Sequence, residues 1–486
     1  MQINHLVLGL VLGLGISRGG LAETQGAQGA RGTEGAQRPN IVFVMADQWR
    51  AQATGYAGDP NVKTPNLDRL ATQGINMVNA VSGCPLCTPY RGTLFTGQYP
   101  LKTGLFINDV PLNPKGATLG ETFRSAGYST AYIGKWHVNG GARSAYIPPE
   151  RRFGFETFKV LECTHDYNNS RYYDGNDPTL RTWKGYDAIA QTDAAIDCIK
   201  NRKPGQPLLL MLSWGAPHDP YDTAPQKYHD LYSAEKIKLR PNVPEGAAKV
   251  AQGYLANYYA HCTALDDCMG DLIKALDKEG LAENTIVVFT ADHGDMLKSQ
   301  NQIHKQRPWD ESIRVPFLIR YPAKLGHAGK NLNGMFETAD IMPTLLGLSG
   351  LSIPGSVEGK DFSKYLLGQG TDPSGGAAVV ASYQPIADWS TEYRGVRTPR
   401  YTYAKKLDGP WLLFDNEKDP YQLTNLIGKP EAAEIQKQLD AELAQRLKER
   451  GDQFLPGAEY LKQWGYRPNP RSRTVQKNKT QESAPE

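Results

Sequence analysis

The chain has 486 residues, more than the roughly 250 to 300 at which a single hydrophobic core stops growing, so a large domain and a smaller one are expected. Apolar residues make up 40% and charged residues 22%, a composition typical of a globular protein and unlike that of a fibrous or disordered chain. The formal net charge of +3 is too small a surplus to indicate a nucleic-acid partner.

The first 22 residues have the organisation of a signal peptide. An apolar run from about Leu6 to Ile16 precedes Gly20 and Ala22, which suit the two small positions of a cleavage site. The run is too short to cross a bilayer and no later run is longer, so no transmembrane anchor is expected. A buried N-terminal strand is the alternative, but the low-complexity linker at 23–37 cannot pack. We therefore expect export, to the periplasm or as a secreted protein.

Four apolar segments read as buried parallel strands, because each is a continuous run rather than an alternating one. They begin near Pro39, Ser129, Leu208 and Asn284, and each ends in polar or charged residues. Helical segments alternate with them at TPNLDRLATQG, TLGETFRSAG and YLANYYAHCTALDDCMGDLIKALDKEG, each ending in a glycine expected to act as its C-cap. The alternation predicts an α/β domain at 38–375 whose large, mostly parallel sheet lies between helices.

From about Ala377 the pattern changes to short strands and one final helix rich in Glu, Ala, Lys and Leu. This predicts a smaller antiparallel α+β subdomain at 376–466. The polar, basic tail at 467–486 is expected to be disordered.

Two strand ends offer candidate metal ligands. Asp47 and Gln48 follow the first strand, and Asp292 and His293 follow the fourth. Ligands bind beyond the carboxyl ends of parallel strands, and this oxygen-rich set favours a hard cation such as Ca²⁺ or Mg²⁺. The alternative is that the two aspartates cap the helices that follow them. The residues alone leave both interpretations open.

Five cationic or titratable side chains also fall at strand ends or loop starts. Each has an ordinary explanation by itself, as a surface charge or a satisfied loop histidine. Burying all of them without a partner is costly, and an anionic substrate beside the metal removes that cost. The five are Arg91, Lys135, His137, His218 and Lys305.

The six cysteines permit disulfides in an oxidising compartment, but their pairing cannot be deduced from sequence. Cys84 and Cys87 form a zinc site only with a second close pair, and Cys262 with Cys268 has the wrong spacing. Zinc is therefore not expected.

The segment CTPYRGTLFTG, which starts at Cys87, matches the C-x-P-x-R-x-x-L-x-T-G signature of the formylglycine-dependent (type I) sulfatases of the alkaline phosphatase superfamily. Further segments that resemble the family occur in the family's order, from Pro39 to about Leu426. They are PNIVFVMADQ, TPNLDRLA, GYSTAYIGKWH, APHDPY, NTIVVFTADHGDML, KQRPWDESIRVPFLIRYP and FDNEKDPYQLTNL. The resemblance implies an alkaline-phosphatase-like fold and a sulfuric ester hydrolase.

The resemblance also implies a role for each candidate residue. Cys87 is the residue that a formylglycine-generating or equivalent maturation enzyme oxidises to Cα-formylglycine, and it completes a Ca²⁺ or Mg²⁺ site with Asp47, Gln48, Asp292 and His293. Arg91 and Lys135 hold the aldehyde hydrate, and His137 assists its deprotonation. His218 and Lys305 contact the sulfate and the departing oxygen. Many relatives carry Asp and Asn where this chain has Gln48 and His293, so the metal site here has one carboxylate fewer.

A sulfated polysaccharide or oligosaccharide is the substrate expected for an exported enzyme of this kind. His165, Asp166, Arg171 and Trp309 are candidate sugar contacts, and stacking on sugar rings is considered for Tyr167, Tyr172, Tyr173 and Trp214 as well as Trp309. Two alternatives stay open. One is a phosphodiesterase or phosphonate monoester hydrolase of the same superfamily, and the other is a carbohydrate-binding relative without catalysis.

Overall fold

The computed structural model describes residues 37–388, 390–468 and 475–477. The signal peptide expected at 1–22 and nearly all of the linker expected at 23–37 lie outside these residues, as does most of the tail expected at 467–486. Within the described part, no helix is both long enough and apolar enough to cross a membrane.

A ten-stranded sheet forms the centre of the large unit. Its strands are β1 Asn40–Asp47, β2 Ile75–Val81, β3 Ser129–Lys135, β4 Thr157–Leu161, β5 Arg171–Asp174, β6 Asp177–Thr182, β7 Leu208–Pro217, β8 Thr285–Ala291, β9 Phe317–Arg320 and β10 Lys330–Glu337. Their order across the sheet is β10-β2-β9-β8-β1-β7-β3-β4-β5-β6.

The four strands predicted from sequence are the central ones of this sheet. β8, β1, β7 and β3 are neighbours, and all three pairings among them are parallel. Every residue of β1, β7 and β8 is buried, which agrees with their continuous apolar sequence. The strands that the sequence did not single out lie nearer the edges, and β9, β5 and β6 pair antiparallel to their neighbours.

Thirteen helices longer than a 3₁₀ turn accompany the strands in the described residues. They are α1 Pro65–Gln73, α2 Cys87–Thr96, α3 Pro100–Thr103, α4 Leu119–Ser125, α5 Asp187–Lys200, α6 Gln226–His229, α7 Ala248–Lys278, α8 Asp310–Ile313, α9 Pro322–Leu325, α10 Ile341–Leu348, α11 Ser363–Leu366, α12 Ala433–Glu449 and α13 Gly457–Gln463.

The three helices predicted from sequence are α1, α4 and α7, but their glycines do not all act alike. Gly127 and Gly280, which follow α4 and α7, have φ values of 88° and 66°, the left-handed conformation of a helix C-cap. Gly74 after α1 is extended, with φ −138°. A Cβ on Gly74 lies 2.6 Å from the carbonyl oxygen of Ile319, so this glycine permits the close approach of β9 instead of capping the helix.

A separate four-stranded antiparallel sheet follows in the chain, with strands β11 Ala378–Ser382, β12 Tyr393–Arg397, β13 Tyr401–Lys406 and β14 Gly409–Asp415. Helix α12 packs on it through a cluster that includes Leu439, Leu443 and Leu447. Two short strands, β15 Tyr466–Pro468 and β16 Val475–Lys477, pair antiparallel near the end of the described chain. The predicted fold class, a large mostly parallel sheet with helices and a small antiparallel α+β part, is confirmed.

Candidate active site

The carboxyl ends of β1 and β8 bring two aspartates together. The strands are in parallel register up to Ala46 opposite Ala291, so Asp47 and Asp292 leave the sheet side by side, and both are completely buried. No helix begins directly after either residue, so the interpretation of these aspartates as helix caps is wrong. Their burial at a sheet edge needs cationic partners instead.

Cys87 is the first residue of α2, a helix buried along its whole length. Its Sγ lies 3.3 Å from Nε2 of His293 and 3.7 Å from Oδ1 of Asp47. With Asp292, these residues place four potential ligand atoms within 4.8 Å of one another. They are the one such cluster found within the described residues.

Two details of this cluster fit a bound cation. His293 directs Nδ1 to the carbonyl oxygen of Gly294 at 3.0 Å, which leaves Nε2 free to face the two aspartates, at 3.4 Å from Asp292 and 3.6 Å from Asp47. Burial lowers the pKa of His293 to about 4, so the ring is neutral at physiological pH, as a metal-binding imidazole must be. The buried Oε1 of Gln48 has no hydrogen-bond partner among the described residues.

Arg91 and Lys135 neutralise the aspartates from the other side. Arg91 donates from one nitrogen to Asp47 at 3.3 Å and to Asp292 at 3.2 Å, and its other terminal nitrogen is held by the carbonyl oxygen of Lys135 and the hydroxyl of Ser213. The ammonium of Lys135 lies 2.6 Å from Asp47 and 3.7 Å from the sulfur of Cys87. The chain thus positions two cations beside Cys87.

The pKa values reflect this arrangement. Burial opposes the charge of Asp47, but Lys135 and the surrounding cations hold its pKa well below the usual range. Burial and the charge of Asp47 raise the pKa of Asp292 to about 6. Burial and Asp47 also oppose ionisation of the Cys87 thiol, yet Lys135 and Lys305 lower its pKa to about 6. The pocket therefore stabilises negative charge at the position of the Cys87 side chain.

Lys305 and His218 form a second group beside Cys87. The Lys305 ammonium is 3.4 Å from the Cys87 sulfur and 2.8 Å from Nε2 of His218. Nδ1 of His218 donates toward Asp219, whose carbonyl oxygen is at 2.9 Å and whose Oδ1 is at 3.1 Å. Burial and the adjacent Lys305 lower the pKa of His218 well below its usual value.

His137 belongs to a dyad that was not predicted from the sequence. Its Nε2 lies 3.0 Å from Oδ1 of Asp109, and the Asp109 carboxylate also accepts two hydrogen bonds from Arg143, at 3.0 and 2.9 Å. Both His137 and Asp109 are about 1–2% exposed. Nδ1 of His137 is buried and makes no hydrogen bond of ordinary geometry within the described residues, but a contact between the His137 side chain and Cys87 contributes to the lowered pKa of the Cys87 thiol. The Asp109 carboxylate therefore selects the Nε2–H tautomer and leaves Nδ1 as a proton acceptor.

Asp219 and Asp295 were not predicted either, although both lie in segments that carry the family resemblance, APHDPY and TADHGDML. Both carboxylates accept hydrogen bonds from Nε2 of Gln48, at 3.3 Å for Asp219 and 2.7 Å for Asp295. The sequence feature that could have identified them is their spacing, because Asp219 follows His218 by one residue and Asp295 follows His293 by two. The pattern alone did not say which way either side chain points.

The four candidate sugar contacts have different positions. His165 stacks on His218, with ring centroids 4.4 Å apart and planes 11° apart. Asp166 is exposed, and its carboxylate accepts from the backbone of Asn168 and Asn169. Arg171 is exposed on β5. Trp309 is buried in a hydrophobic cluster with its ring edge against Trp411, and its role as a sugar contact stays a prediction.

The aromatic residues considered for stacking are mostly core residues as well. Tyr167 and Trp214 have no exposed surface, and Tyr173 is buried. Tyr172 stacks on Trp183 at 3.8 Å, so one face of its ring is already covered. Tyr167 and Trp214 therefore present no ring face to solvent, and both pack in the hydrophobic core.

All six cysteines are free thiols. Cys84 is buried, and burial raises the pKa of its thiol to about 12, in contrast to the value of about 6 for Cys87. Since only Cys87 belongs to the ligand cluster, the two cysteines have separate environments. The possible disulfide at Cys84 is not formed.

The site as a whole holds three permanent cations, Arg91, Lys135 and Lys305, around two aspartates and the Cys87 position. A divalent cation held by the cluster would make the local charge more positive still. Such a pocket is suited to a tetrahedral anion bound next to a nucleophile at position 87, with the imidazoles of His137 and His218 nearby for proton transfer.

Comparison with known proteins agrees with this geometry. Residues 39–351 match the family model described as "Sulfatase", and residues 301–449 match one described as "N-sulphoglucosamine sulphohydrolase, C-terminal". The chain is 47% identical over 435 residues to an ulvan-active sulfatase of Formosa agariphila, covering 88% of this chain and 85% of that protein. It is 32% identical to an endo-4-O-sulfatase of Bacteroides thetaiotaomicron, covering 86% and 94% of the two chains. Among solved structures, a candidate sulfatase, yidJ, from Bacteroides fragilis superposes with a TM-score of 0.80 at 30% identity, covering 89% of this chain and 99% of the other.

Proposed function

This chain belongs to the sulfatase family and is a sulfuric ester hydrolase, and we propose that it removes sulfate from sulfated carbohydrate by means of a formylglycine at position 87 and a bound divalent cation. The observation that carries the proposal is the meeting of Cys87 with three cations and with the Asp47, Asp292 and His293 cluster. The match of the Cys87 segment to the family signature supports the modification.

A sulfate ester is an anion and repels an incoming nucleophile, so its charge must be neutralised while it is held in line with that nucleophile. A formylglycine hydrate at position 87 would supply one hydroxyl as the nucleophile and a second hydroxyl whose loss of a proton would release sulfate as the aldehyde re-forms. Lys135 and Lys305, whose ammonium groups lie 3.7 and 3.4 Å from the sulfur of Cys87, supply the neutralising charge. His137 accepts a proton at Nδ1, because its Nε2 is committed to Asp109.

Asp47, Gln48, Asp292 and His293 would hold Ca²⁺ or Mg²⁺, with the residue at 87 completing the set. The metal supplies Lewis-acid polarisation of an ester oxygen and lowers the pKa of a hydroxyl bound to it. One terminal nitrogen of Arg91 donates to both carboxylates and so holds Asp47 and Asp292 next to each other. The predominance of oxygen ligands supports Ca²⁺ or Mg²⁺ over a thiophilic metal.

The substrate class is proposed from two relatives, the ulvan-active sulfatase and the endo-4-O-sulfatase. The decisive experiment is a screen of sulfated polysaccharides and oligosaccharides with the converted enzyme, reading released sulfate by ion chromatography. Phosphate diesters and phosphonate monoesters serve as the comparison set. Faster turnover of those esters than of every sulfated sugar would contradict the proposal.

His218 is proposed to protonate the departing sugar oxygen. The imidazole is neutral in the free enzyme because burial and Lys305 lower its pKa, and a bound anionic ester beside Nε2 favours the protonated ring. His218→Ala is expected to lose roughly 10²- to 10⁴-fold in rate on a sugar sulfate and much less on nitrophenyl sulfate, whose leaving group needs no proton.

The measurement is kcat/KM on both substrates with folded protein, and His327→Ala, at an exposed histidine, is the control. Equal losses on the two substrates would exclude the general-acid role.

Asp109 is proposed to set the tautomer of His137. Asp109→Asn keeps the shape of the side chain but lets an amide N–H face the imidazole, so a loss of roughly 10- to 100-fold in kcat is expected. Arg143→Ala removes the other partner of Asp109, leaves the dyad in place and should cost less. Melting temperatures and the ¹⁵N chemical shifts of the His137 ring separate a tautomer change from unfolding. An unchanged Nε2–H tautomer in Asp109→Asn would refute the assignment.

The proposal also includes export to the periplasm or the medium. It further includes conversion of Cys87 by a formylglycine-generating or equivalent maturation enzyme. Export is supported by the sequence pattern of residues 1–22. Cleavage after Ala22 is checked by N-terminal sequencing of protein recovered from outside the cytoplasm.

A further inference from the structure

Gln48 is the one proposed metal ligand with a side-chain amide, and an amide can be turned over with almost no change of shape. Its amide carries a donor end and an acceptor end of nearly equal size, and only the oxygen can bind a cation. An aspartate or glutamate at this position has no such ambiguity. Something in the protein must therefore decide which end of the Gln48 amide faces the cluster.

The backbone of Gln48 is held first. The residue follows β1 with φ +68°, in the left-handed region, and its N–H donates to Oδ1 of Asp292 at 3.0 Å. The hydroxyl of Tyr258 donates to its carbonyl oxygen at 2.7 Å. Gln48 is completely buried, so no solvent is available to satisfy a misdirected amide.

The two ends of the side-chain amide have opposite surroundings. Nε2 donates to Oδ2 of Asp295 at 2.7 Å and to Oδ1 of Asp219 at 3.3 Å, whereas Oε1 has no hydrogen-bond partner among the described residues. Carboxylates accept hydrogen bonds and cannot donate them, so turning the amide over would set its oxygen against two acceptors. The carboxylates permit one orientation only.

Asp295 is itself firmly held. The Tyr221 hydroxyl donates to the same Oδ2 that receives Gln48, and the backbone N–H of Leu297 donates to Oδ1 at 3.1 Å. Asp295 has no exposed surface. Asp219 also contacts His218, so substitution there would disturb the proposed proton donor as well.

We propose that Asp295, together with Asp219, is a positioning residue that orients the Gln48 amide so that its carbonyl oxygen faces the cation. The proposal rests on the metal site of the proposed function. A carboxylate at position 48 could bind the cation through either oxygen. The amide of Gln48 can do so only through Oε1, and the two aspartates fix the orientation that this requires.

The test measures Ca²⁺ binding to the full chain by isothermal titration calorimetry, after bound metal has been removed with a chelator. This measurement does not depend on catalytic activity. Asp295→Asn replaces the carboxylate with an amide. The N–H group of the new asparagine can donate to Oε1 of Gln48, which would allow the Gln48 amide to turn over. We expect Ca²⁺ affinity to fall by roughly 10- to 100-fold, the usual cost of losing an outer hydrogen-bond partner of a ligand. Unchanged affinity in the folded variant overturns the proposal.

A matched pair of variants tests whether Asp295 acts through the amide. Gln48→Glu keeps the shape of the side chain but has no N–H donor that could face the cation. Adding Asp295→Asn to Gln48→Glu should therefore not weaken Ca²⁺ binding. It should also relieve repulsion between the carboxylate at position 48 and that of Asp295. If Asp295→Asn weakens binding equally in the wild-type and Gln48→Glu backgrounds, its effect does not pass through the amide and the proposal is wrong.

If Asp295→Asn alone fails to fold, the comparison of Gln48→Glu with the double variant Gln48→Glu, Asp295→Asn still tests the positioning role. In that case the double variant must bind Ca²⁺ at least as tightly as Gln48→Glu, and weaker binding overturns the proposal. Wild-type protein that binds neither Ca²⁺ nor Mg²⁺ contradicts the proposed metal site and removes the premise. Wild-type binding with no effect of Asp295→Asn contradicts the positioning role alone.

Discussion

Cys87→Ser is expected to lower turnover of sulfate esters by roughly 10⁴- to 10⁶-fold, the scale seen when a nucleophile is removed. A serine side chain has one hydroxyl, whereas an aldehyde hydrate has two. Sulfate transferred to serine therefore cannot be expelled by loss of a proton from a second hydroxyl. The surrounding cations stay in place, because Lys135 remains paired with Asp47 and Lys305 with His218. The variant should therefore fold and still bind an anionic ligand.

The matched control is Cys84→Ser, three residues away, buried and outside the ligand cluster. It should keep most of the activity. Coexpression with a formylglycine-generating enzyme, followed by peptide mass spectrometry, should show conversion of Cys87 and an unchanged thiol at Cys84. Full activity in protein whose Cys87 is still a thiol would rule out the mechanism.

Removal of the divalent cation is expected to abolish turnover, and Ca²⁺ or Mg²⁺ should restore it. Without the metal, Asp47 and Asp292 face each other with Arg91 and Lys135 as counter-charges, and the ester loses its Lewis acid. Asp292→Ala should lose metal content and activity together. Inductively coupled plasma mass spectrometry and sulfate release are the two measurements.

Asp271→Ala, at an aspartate whose side chain is 59% exposed on α7, is the control and should change neither quantity. An Asp292→Ala variant with full metal content and full rate would show that Asp292 is not a ligand. Retention of activity after exhaustive chelation would exclude a metal-dependent reaction altogether.

The four central strands, the helices α1, α4 and α7, and the change to a small antiparallel sheet near Ala377 could all be predicted from the sequence. Local patterns decide these features. A strand buried on both faces needs a continuous apolar run, and its carboxyl end must carry whatever polar residues the site requires. This is why Asp47, Lys135, His218 and Asp292 could be proposed as neighbours although up to 245 residues separate them along the chain.

The partners of these residues were decided by the tertiary structure. Asp109 reaches His137, and Asp295 reaches Gln48, through loops whose paths depend on the packing of the whole sheet. Hydrogen-bond direction and tautomer follow from such contacts and leave no periodic trace in the sequence. Tyr167 illustrates the same limit, since it lies in a polar segment of the sequence yet is completely buried.

The sequence by itself therefore determined the fold class, the strand ends that meet and the signature around Cys87, because short-range apolar patterns and chain topology control all three. The tertiary structure alone decided that Nε2 of Gln48 pairs with Asp295, that Nε2 of His137 pairs with Asp109 and that Cys84 is outside the ligand cluster of Cys87. Each of those outcomes depends on which buried donor meets which acceptor, and that is settled only when distant segments pack together.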